Sequence, residues 1–191
     1  DLKQTYNEFF QIYGKSMGTN TLKPTQVITE DSNSGYQFFQ KVCTDNGINC
    51  KSASGKSNIF KLLLDETKQE VLVIADGAAF GSQMERIMGL AVVQQNFHVY
   101  LPESFEWLIL RSGLLEDSEI SKILESPEKY VDSLHYFSWE RFFTDLLMQR
   151  TSNSYLSYTK SKLNPVYLQE QEKTAILSVI PKIQFKNEKD R

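Results

Sequence analysis

Short apolar runs alternate with amphipathic segments four times between residues 24 and 113, and this alternation is the strongest constraint on the fold. Helical periodicity fills the connections, whose lengths suit right-handed crossovers between parallel strands. The sequence therefore predicts an α/β fold with a small four-stranded, mainly parallel sheet flanked by helices. The predicted strands are Gln26–Thr29, Ile48–Ala53, Glu70–Ala75 and Asn96–Leu101.

Two of these strands end in a carboxylate. The apolar run Val71–Ala75 leads directly into Asp76, and the strand Gln26–Thr29 leads into Glu30. Open α/β folds bind their ligands at the carboxyl ends of the strands. Two acids that meet there could hold a hard cation through oxygen ligands. The alternative is that both acids only solvate the ends of their strands.

The chain divides into four segments by its patterning. Apolar residues from Leu2 to Tyr13 recur at helical spacing, which predicts an N-terminal helix and linker over 1–23. The α/β core is expected over 24–113, a helical extension over 114–181, and a polar tail that frays over 182–191. The helices predicted after the last strand are Phe105–Ser112, Ser118–Leu124, Pro127–Leu134, Ser138–Gln149 and Pro165–Ile180.

Composition narrows the classes of function. A formal net charge of −3 gives no global basic surface for nucleic acid, although a local patch could still bind it. No apolar run approaches the ~18 residues of a membrane span and no secretory signal opens the chain, so no membrane partner is expected. Cys43 and Cys50, with two histidines, make neither a convincing zinc tetrad nor a disulfide framework. Free thiols indicate a cytoplasmic protein.

Two basic segments could contact phosphate. Gly55-Lys56-Ser57 is similar to part of a P-loop, but Cys50 stands where that motif needs a glycine. The better interpretation is the N-terminus of a helix with a lysine that could contact phosphate. Tyr155–Lys162 interleaves tyrosines with Lys160 and Lys162, a pattern that suits stacking on nucleic acid. The alternative is a solvated segment whose tyrosines belong to the core.

The order of these elements resembles a Toprim domain, the α/β module shared by topoisomerases, bacterial primases and overcoming-lysogenisation-defect nucleases. In that family a first strand ends in glutamate, as at Glu30, and the third strand ends in D-x-D-x-x-G. Here Asp76–Gly81 matches the first aspartate and the glycine, whereas Ala78 replaces the second aspartate. Ser54–Ile59 is similar to a Gly-Lys turn of many members, and Leu101–Glu106 is similar to the family's late acidic element.

The resemblance covers about Gln26–Gly113 and implies a Mg²⁺- or Mn²⁺-dependent nuclease acting on DNA or RNA, within a larger ATP-driven phage-defence or repair protein. An ATPase domain or subunit is then an expected partner, and the oligomeric state is left open. Two alternatives remain: a catalytically degenerate module for nucleic-acid binding or protein assembly, and a generic α/β scaffold. The implied residues are Glu30 and Asp76 as catalytic groups and metal ligands, Glu103 and Glu106 as further metal ligands, and Lys56 and Lys160 as phosphate contacts.

Overall fold

Five strands form one sheet in the computed structural model, which describes residues 12–13, 21–65, 70–77, 81–94, 96–131 and 139–185. Their order across the sheet is β1-β5-β4-β2-β3, and all neighbours are parallel except the β1–β5 pair. The predicted α/β fold with four parallel strands is confirmed, and β1 adds a short antiparallel edge. The strands are β1 (Ile12–Tyr13), β2 (Gln26–Thr29), β3 (Asn49–Ser52), β4 (Val71–Ile74) and β5 (Phe97–Tyr100).

Helices connect the parallel strands and continue the chain beyond them. In the described part of the chain, no helix combines the length and apolarity needed to cross a membrane. The helices of the core are α1 (Ser34–Asp45), α2 (Lys56–Asp65), α3 (Gly81–Val93) and α4 (Phe105–Arg111). The extension contributes α5 (Ser118–Glu125), α6 (Trp139–Thr151) and α7 (Glu170–Leu177), with 3₁₀ turns at Pro127–Lys129 and Pro165–Leu168.

Side-chain alternation along the strands divides the interior into two cores. Val27 and Leu72 face the core that α1 covers, whereas Ile28 and Val73 face the core under α2 and α3. The first core continues into the helical extension, and the sheet and the extension therefore share one hydrophobic core. Fully buried members from the extension include Phe143, Leu147, Tyr167 and Ile176.

The predicted N-terminal helix is wrong at its end. Ile12 and Tyr13 form β1 and pair with Tyr100 and Val99 of β5. A β-branched residue beside an aromatic one is typical of strands, and the edge of β5 offers these residues backbone partners. The remainder of the predicted helix lies outside the described residues.

Two predicted helices of the extension differ from the structure. The predicted helix Pro165–Ile180 is interrupted at Gln169, whose extended backbone (φ −67°, ψ 153°) separates a 3₁₀ turn from α7. Within the predicted helix Pro127–Leu134, the structure has only the 3₁₀ turn Pro127–Lys129, and residues 132–138 lie outside the described part. In both places a proline starts a turn that does not propagate into a longer helix.

The sequence predicts that the polar tail frays over 182–191, and this prediction is wrong for residues 182–185. The backbone N–H of Leu22 donates to the carbonyl of Lys182 (2.7 Å), so this segment pairs with the chain just before β2. Ile183 and Phe185 are buried in the core, and their apolar side chains dock an otherwise polar segment. Residues 186–191 lie outside the described part of the chain.

Candidate active site

The candidate site lies where the winding of the sheet reverses. From β2 the chain crosses by α1 to β3 on one side, and the crossover by α2 then reaches β4 on the other side of β2. Helices α1 and α2 cover opposite faces, so a crevice is expected between the carboxyl ends of β2 and β4. Glu30 directly follows β2 and Asp76 lies two residues after β4, which brings both predicted acids to this point.

A hydrogen bond joins the two strand ends. The backbone N–H of Asp76 donates to Oε2 of Glu30 at 3.3 Å. The Glu30 backbone is fixed on both sides, because its N–H donates to the carbonyl of Ile74 (3.2 Å) and its carbonyl accepts from the N–H of Gly55 (2.7 Å). Asp76 and Glu30 are therefore neighbours at this edge of the sheet, joined through the main chain of Asp76 and the side chain of Glu30.

A small pocket with a free volume of about 40 Å³ lies between these strand ends. That volume is sufficient for an ion with a few waters. Four carboxylic acids and one lysine line it, so negative charge outweighs positive charge. The polar lining includes Glu30, Asp31, Asp76, Glu106, Tyr158 and Lys160, and the apolar lining includes Phe39, Phe105 and Leu108.

Glu106 reaches the pocket from the start of α4. The Ser104 hydroxyl caps this helix by accepting from the N–H of Trp107 (3.1 Å), and Glu106 lies in its first turn. Glu106 is only 2% exposed, and its Oε1 accepts a hydrogen bond from the Tyr158 hydroxyl (2.8 Å). The sequence predicted the acid, whereas its partner comes from the extension.

Lys160 also comes from the extension, on a loop that is anchored at the start of α1. Ser34 Oγ donates to the carbonyl of Thr159 (2.7 Å), and the N–H of Ser34 donates to the carbonyl of Lys160 (2.8 Å). The ammonium of Lys160 forms an ion pair with Glu140, which lies in the first turn of α6. The loop thereby brings a positive charge to a pocket that is lined by acids.

Burial and mutual repulsion change the ionisation of the site. Desolvation, followed by the charges of Glu140, Glu106 and Glu30, raises the pKa of Asp76 well above its ordinary value. Desolvation likewise raises the pKa of Glu30, and its hydrogen bond from Asp76 offsets only part of that effect. Burial alone would lower the pKa of Lys160, but its bond to Glu140 and the nearby acids raise it overall. The lysine therefore stays charged, whereas ionisation of Asp76 and Glu30 is disfavoured.

Two further predicted residues do not line the pocket. Lys56 opens α2, from where its charge lowers the pKa of Glu30. Glu103 is buried and its pKa is raised by desolvation, but it precedes the cap of α4 and lies outside the pocket lining. Only Glu106, one turn later, is directed to the pocket by the helix. Ala78 lies outside the described residues.

Three polar groups of the site were not predicted for these roles. Of the neighbouring charges, Glu140 has the largest effect on the pKa of Asp76. It could not be singled out from the sequence, because glutamates are common in the first turn of helices, where they interact favourably with the helix dipole. Tyr158 lies in a segment for which the sequence predicts only aromatic stacking or core packing. Asp31 lines the pocket and accepts from the N–H of Asn33 (3.0 Å), and its adjacency to Glu30 was the one usable sequence signal.

The donor chemistry of the site fits a hard divalent cation. Carboxylate oxygens are the ligands that Mg²⁺ and Mn²⁺ prefer, and the raised pKa values of Asp76 and Glu30 show that their ionisation is disfavoured, chiefly by burial. Among the residues that the structure describes, no group of three acidic, histidine or cysteine side chains is arranged to hold a metal. Glu106 and Glu140 are instead engaged by Tyr158 and Lys160. Metal binding would therefore require these side chains to rearrange.

Comparison with known proteins assigns no family to the chain. No protein-family model, curated protein or solved structure matches it. The Toprim resemblance therefore stays a prediction from sequence motifs, and the function of the site has to follow from its own geometry.

Proposed function

We propose that this chain is a Toprim-like, Mg²⁺-dependent nuclease domain that hydrolyses phosphodiester bonds of DNA or RNA, within a larger ATP-driven defence or repair protein. The observation that carries the proposal is the direct contact between Asp76 and Glu30 at the switch point of the sheet. Ligands of open α/β folds bind at this point. The excess of acids in the pocket favours a cation there, and Mn²⁺ is expected to replace Mg²⁺.

Asp76, Glu30 and Glu106 are the residues that would hold the cation, since all three line the pocket. Bound Mg²⁺ would supply a Lewis acid that polarises a phosphoryl oxygen and stabilises the charge that develops on it. The fixed backbone around Glu30 orients its carboxylate at the sheet edge, which limits the reorganisation needed during the reaction.

Glu30 is the proposed proton acceptor for the attacking water. Its raised pKa suits proton exchange closer to neutral pH than an ordinary glutamate allows. As the water oxygen gives its proton to Glu30 and bonds to phosphorus, the bond from phosphorus to the leaving sugar oxygen breaks, and that oxygen takes up a proton from bulk water. Lys56 and Lys160 are the proposed phosphate contacts and act as point charges.

The proposal places the scissile phosphate at the acids that line the pocket. The rest of the polynucleotide would lie across the surface formed by the loop at Lys160. Lys162, exposed on the same loop, adds a second positive charge there. Local basic residues of this kind offset the formal net charge of −3.

The test is nicking of supercoiled plasmid by the full chain in Mg²⁺ or Mn²⁺, with EDTA as the metal-free comparison. Asp76→Asn and Glu30→Gln should each lower the nicking rate by at least about 100-fold, because ligand and proton acceptor are removed with little change of shape. Parallel assays on single-stranded RNA and DNA show which polynucleotide is preferred.

The matched controls are Asp65→Asn and Glu85→Gln, which make the same chemical changes at exposed positions on α2 and α3. Both should nick at the rate of the unmodified chain. Nicking that survives in Asp76→Asn and Glu30→Gln at the control rate contradicts the proposal.

A non-catalytic binding or assembly module is the second candidate. It is favoured by Ala78 in place of the second aspartate and by the engagement of Glu106 with Tyr158. If this candidate is right, we expect polynucleotide binding in a fluorescence anisotropy titration and no turnover at any metal concentration. Metal-dependent cleavage that is lost in Asp76→Asn would eliminate it.

A further inference from the structure

One side chain already brings positive charge to the acids of the pocket. The ammonium of Lys160 forms an ion pair with Glu140, and the same residue lines the pocket together with Asp76 and Glu106. The charges of Glu106 and Asp76 also contribute to the raised pKa of Lys160. Lys160 is therefore positioned to neutralise part of the charge that would attract a cation from solution.

The backbone that carries Lys160 is held in place. Its carbonyl accepts from the N–H of Ser34, and the Thr159 hydroxyl donates to the carbonyl of Lys162 (2.8 Å), which closes the loop on itself. Gln37 adds a further anchor, because its Nε2 donates to the carbonyl of Ser161 (2.9 Å). The position of the Lys160 backbone is consequently fixed by the fold, whereas its four-carbon side chain has rotatable bonds through which the ammonium can change position.

We infer that the ammonium of Lys160 is an internal counter-ion of the acids Glu140, Asp76 and Glu106. A divalent cation must displace this ammonium in order to bind. This inference rests on the proposed function, because it concerns the same site and the same class of cation. Lys160 thereby sets the affinity of the site for the metal. Once displaced, its ammonium is free to pair with a phosphate that approaches the pocket.

The inference predicts two effects of opposite sign when the charge is removed. Without the ammonium, the carboxylates interact with the divalent cation alone, so metal affinity should rise. In the metal-free protein the same change leaves the acids uncompensated, so thermal stability should fall. A lysine with a merely structural role would lower stability and would leave the metal affinity unchanged or lower it.

The experiment is calorimetric titration of the full chain with Mn²⁺, for the unmodified chain, Lys160→Met, Lys160→Arg and Lys162→Met. Lys160→Met should bind Mn²⁺ at least about tenfold more tightly than the unmodified chain. Lys160→Arg keeps the charge and should bind within about threefold of the unmodified chain. Lys162→Met removes a charge from an exposed neighbour that is proposed to face the polynucleotide and not the metal, and it should bind Mn²⁺ with the affinity of the unmodified chain.

Melting temperatures in EDTA and in Mn²⁺ provide the second measurement. In EDTA, Lys160→Met should have a lower melting temperature than the unmodified chain. Saturating Mn²⁺ should raise the melting temperature of Lys160→Met by more than it raises that of the unmodified chain. Lys160→Gln serves as a replacement if the methionine variant fails to fold.

Two results would overturn the inference, and they differ in their consequence for the proposed function. If Lys160→Met binds Mn²⁺ no more tightly than the unmodified chain, while Asp76→Asn has lost binding, the counter-ion role is wrong and the metal site stands. If the unmodified chain binds no Mn²⁺ and shows no nicking, the inference and the proposed function are both wrong.

Discussion

The backbone N–H of Asp76 donates a hydrogen bond to Oε2 of Glu30, although the two residues are 46 positions apart in the chain. Parallel pairing of β2 with β4 creates this contact, since Thr29 and Ile74 lie opposite each other at the ends of the two strands. The contact joins two acids, and burial disfavours the ionisation of both. A site that carries such a cost in the metal-free protein is expected to recover it when a cation binds.

The first prediction concerns stability without metal. Desolvation raises the folded-state pKa of Asp76 above its ordinary value of 3.8, so ionisation is less favourable in the folded than in the unfolded chain. The penalty is absent at pH values below the ordinary pKa, and it develops as the pH rises through the folded pKa. Asp76→Asn should therefore melt higher than the unmodified chain in EDTA at about pH 7.5, by roughly 2–4 °C for each kcal/mol relieved.

The same comparison at about pH 3 should show a much smaller difference, because Asp76 is then largely protonated in both the folded and the unfolded chain. Asp65→Asn, at an exposed position, should stay within about 0.5 kcal/mol at either pH. A lower melting temperature for Asp76→Asn at neutral pH contradicts this electrostatic account.

The second prediction concerns the buried hydrogen bond between Tyr158 and Glu106. Tyr158→Phe removes the hydroxyl and leaves the nearly inaccessible Oε1 of Glu106 without this donor. We expect the free energy of unfolding to fall by about 1–3 kcal/mol in urea titrations. Tyr155→Phe makes the same change at a residue that is 63% exposed and should be nearly neutral. Equal effects of the two variants would show that the bond to Glu106 stabilises nothing.

The third prediction concerns the close approach of α1 to α4. A Cβ at Gly35 would lie 3.0 Å from Cβ and 3.2 Å from Cγ of Phe105. The Phe105 ring packs against Phe38, with centroids 5.2 Å apart, so it has little freedom to move. Gly35→Ala should destabilise the protein by about 1–3 kcal/mol despite the better helix propensity of alanine.

Gly89 provides the matched control, because it lies in α3 and, beyond its own turn of the helix, no atom of the described residues lies within 4 Å of an added Cβ. Gly89→Ala should stabilise the protein by up to about 1 kcal/mol. Thermal melts of the two variants should therefore move in opposite directions. A Gly35→Ala variant as stable as Gly89→Ala would mean that α1 and α4 are less tightly packed than the structure indicates.

The sequence was sufficient for the parts of the site that follow from local pattern. Apolar runs that end in Glu30 and Asp76 predicted both strand ends, and parallel pairing then made the two acids neighbours. Glu140 and Lys160 form their ion pair across 20 positions of an extension whose return path has no local signature. Where an α-helix and a loop come back over a sheet depends on how the shared core packs. The docking of Phe185 was missed for the same reason.

The fourth prediction is the pH dependence of metal binding. Asp76 and Glu30 must both be deprotonated to act as ligands, and desolvation raises the pKa of each. Affinity for Mn²⁺ should therefore increase from about pH 5 to about pH 7.5, a range in which ordinary carboxylic acids are already ionised. Calorimetric titrations across this range check the slope. An affinity independent of pH would mean that neither acid changes its protonation when the metal binds.

The most direct test of the proposed metal site is the anomalous difference map of crystals of the full chain soaked in Mn²⁺. The account predicts a peak between the carboxylates of Asp76 and Glu30, with oxygen–metal distances of about 2.0–2.3 Å, and its loss in Asp76→Asn. A map without a peak at this strand edge under saturating Mn²⁺, or a peak that touches neither carboxylate, would contradict it.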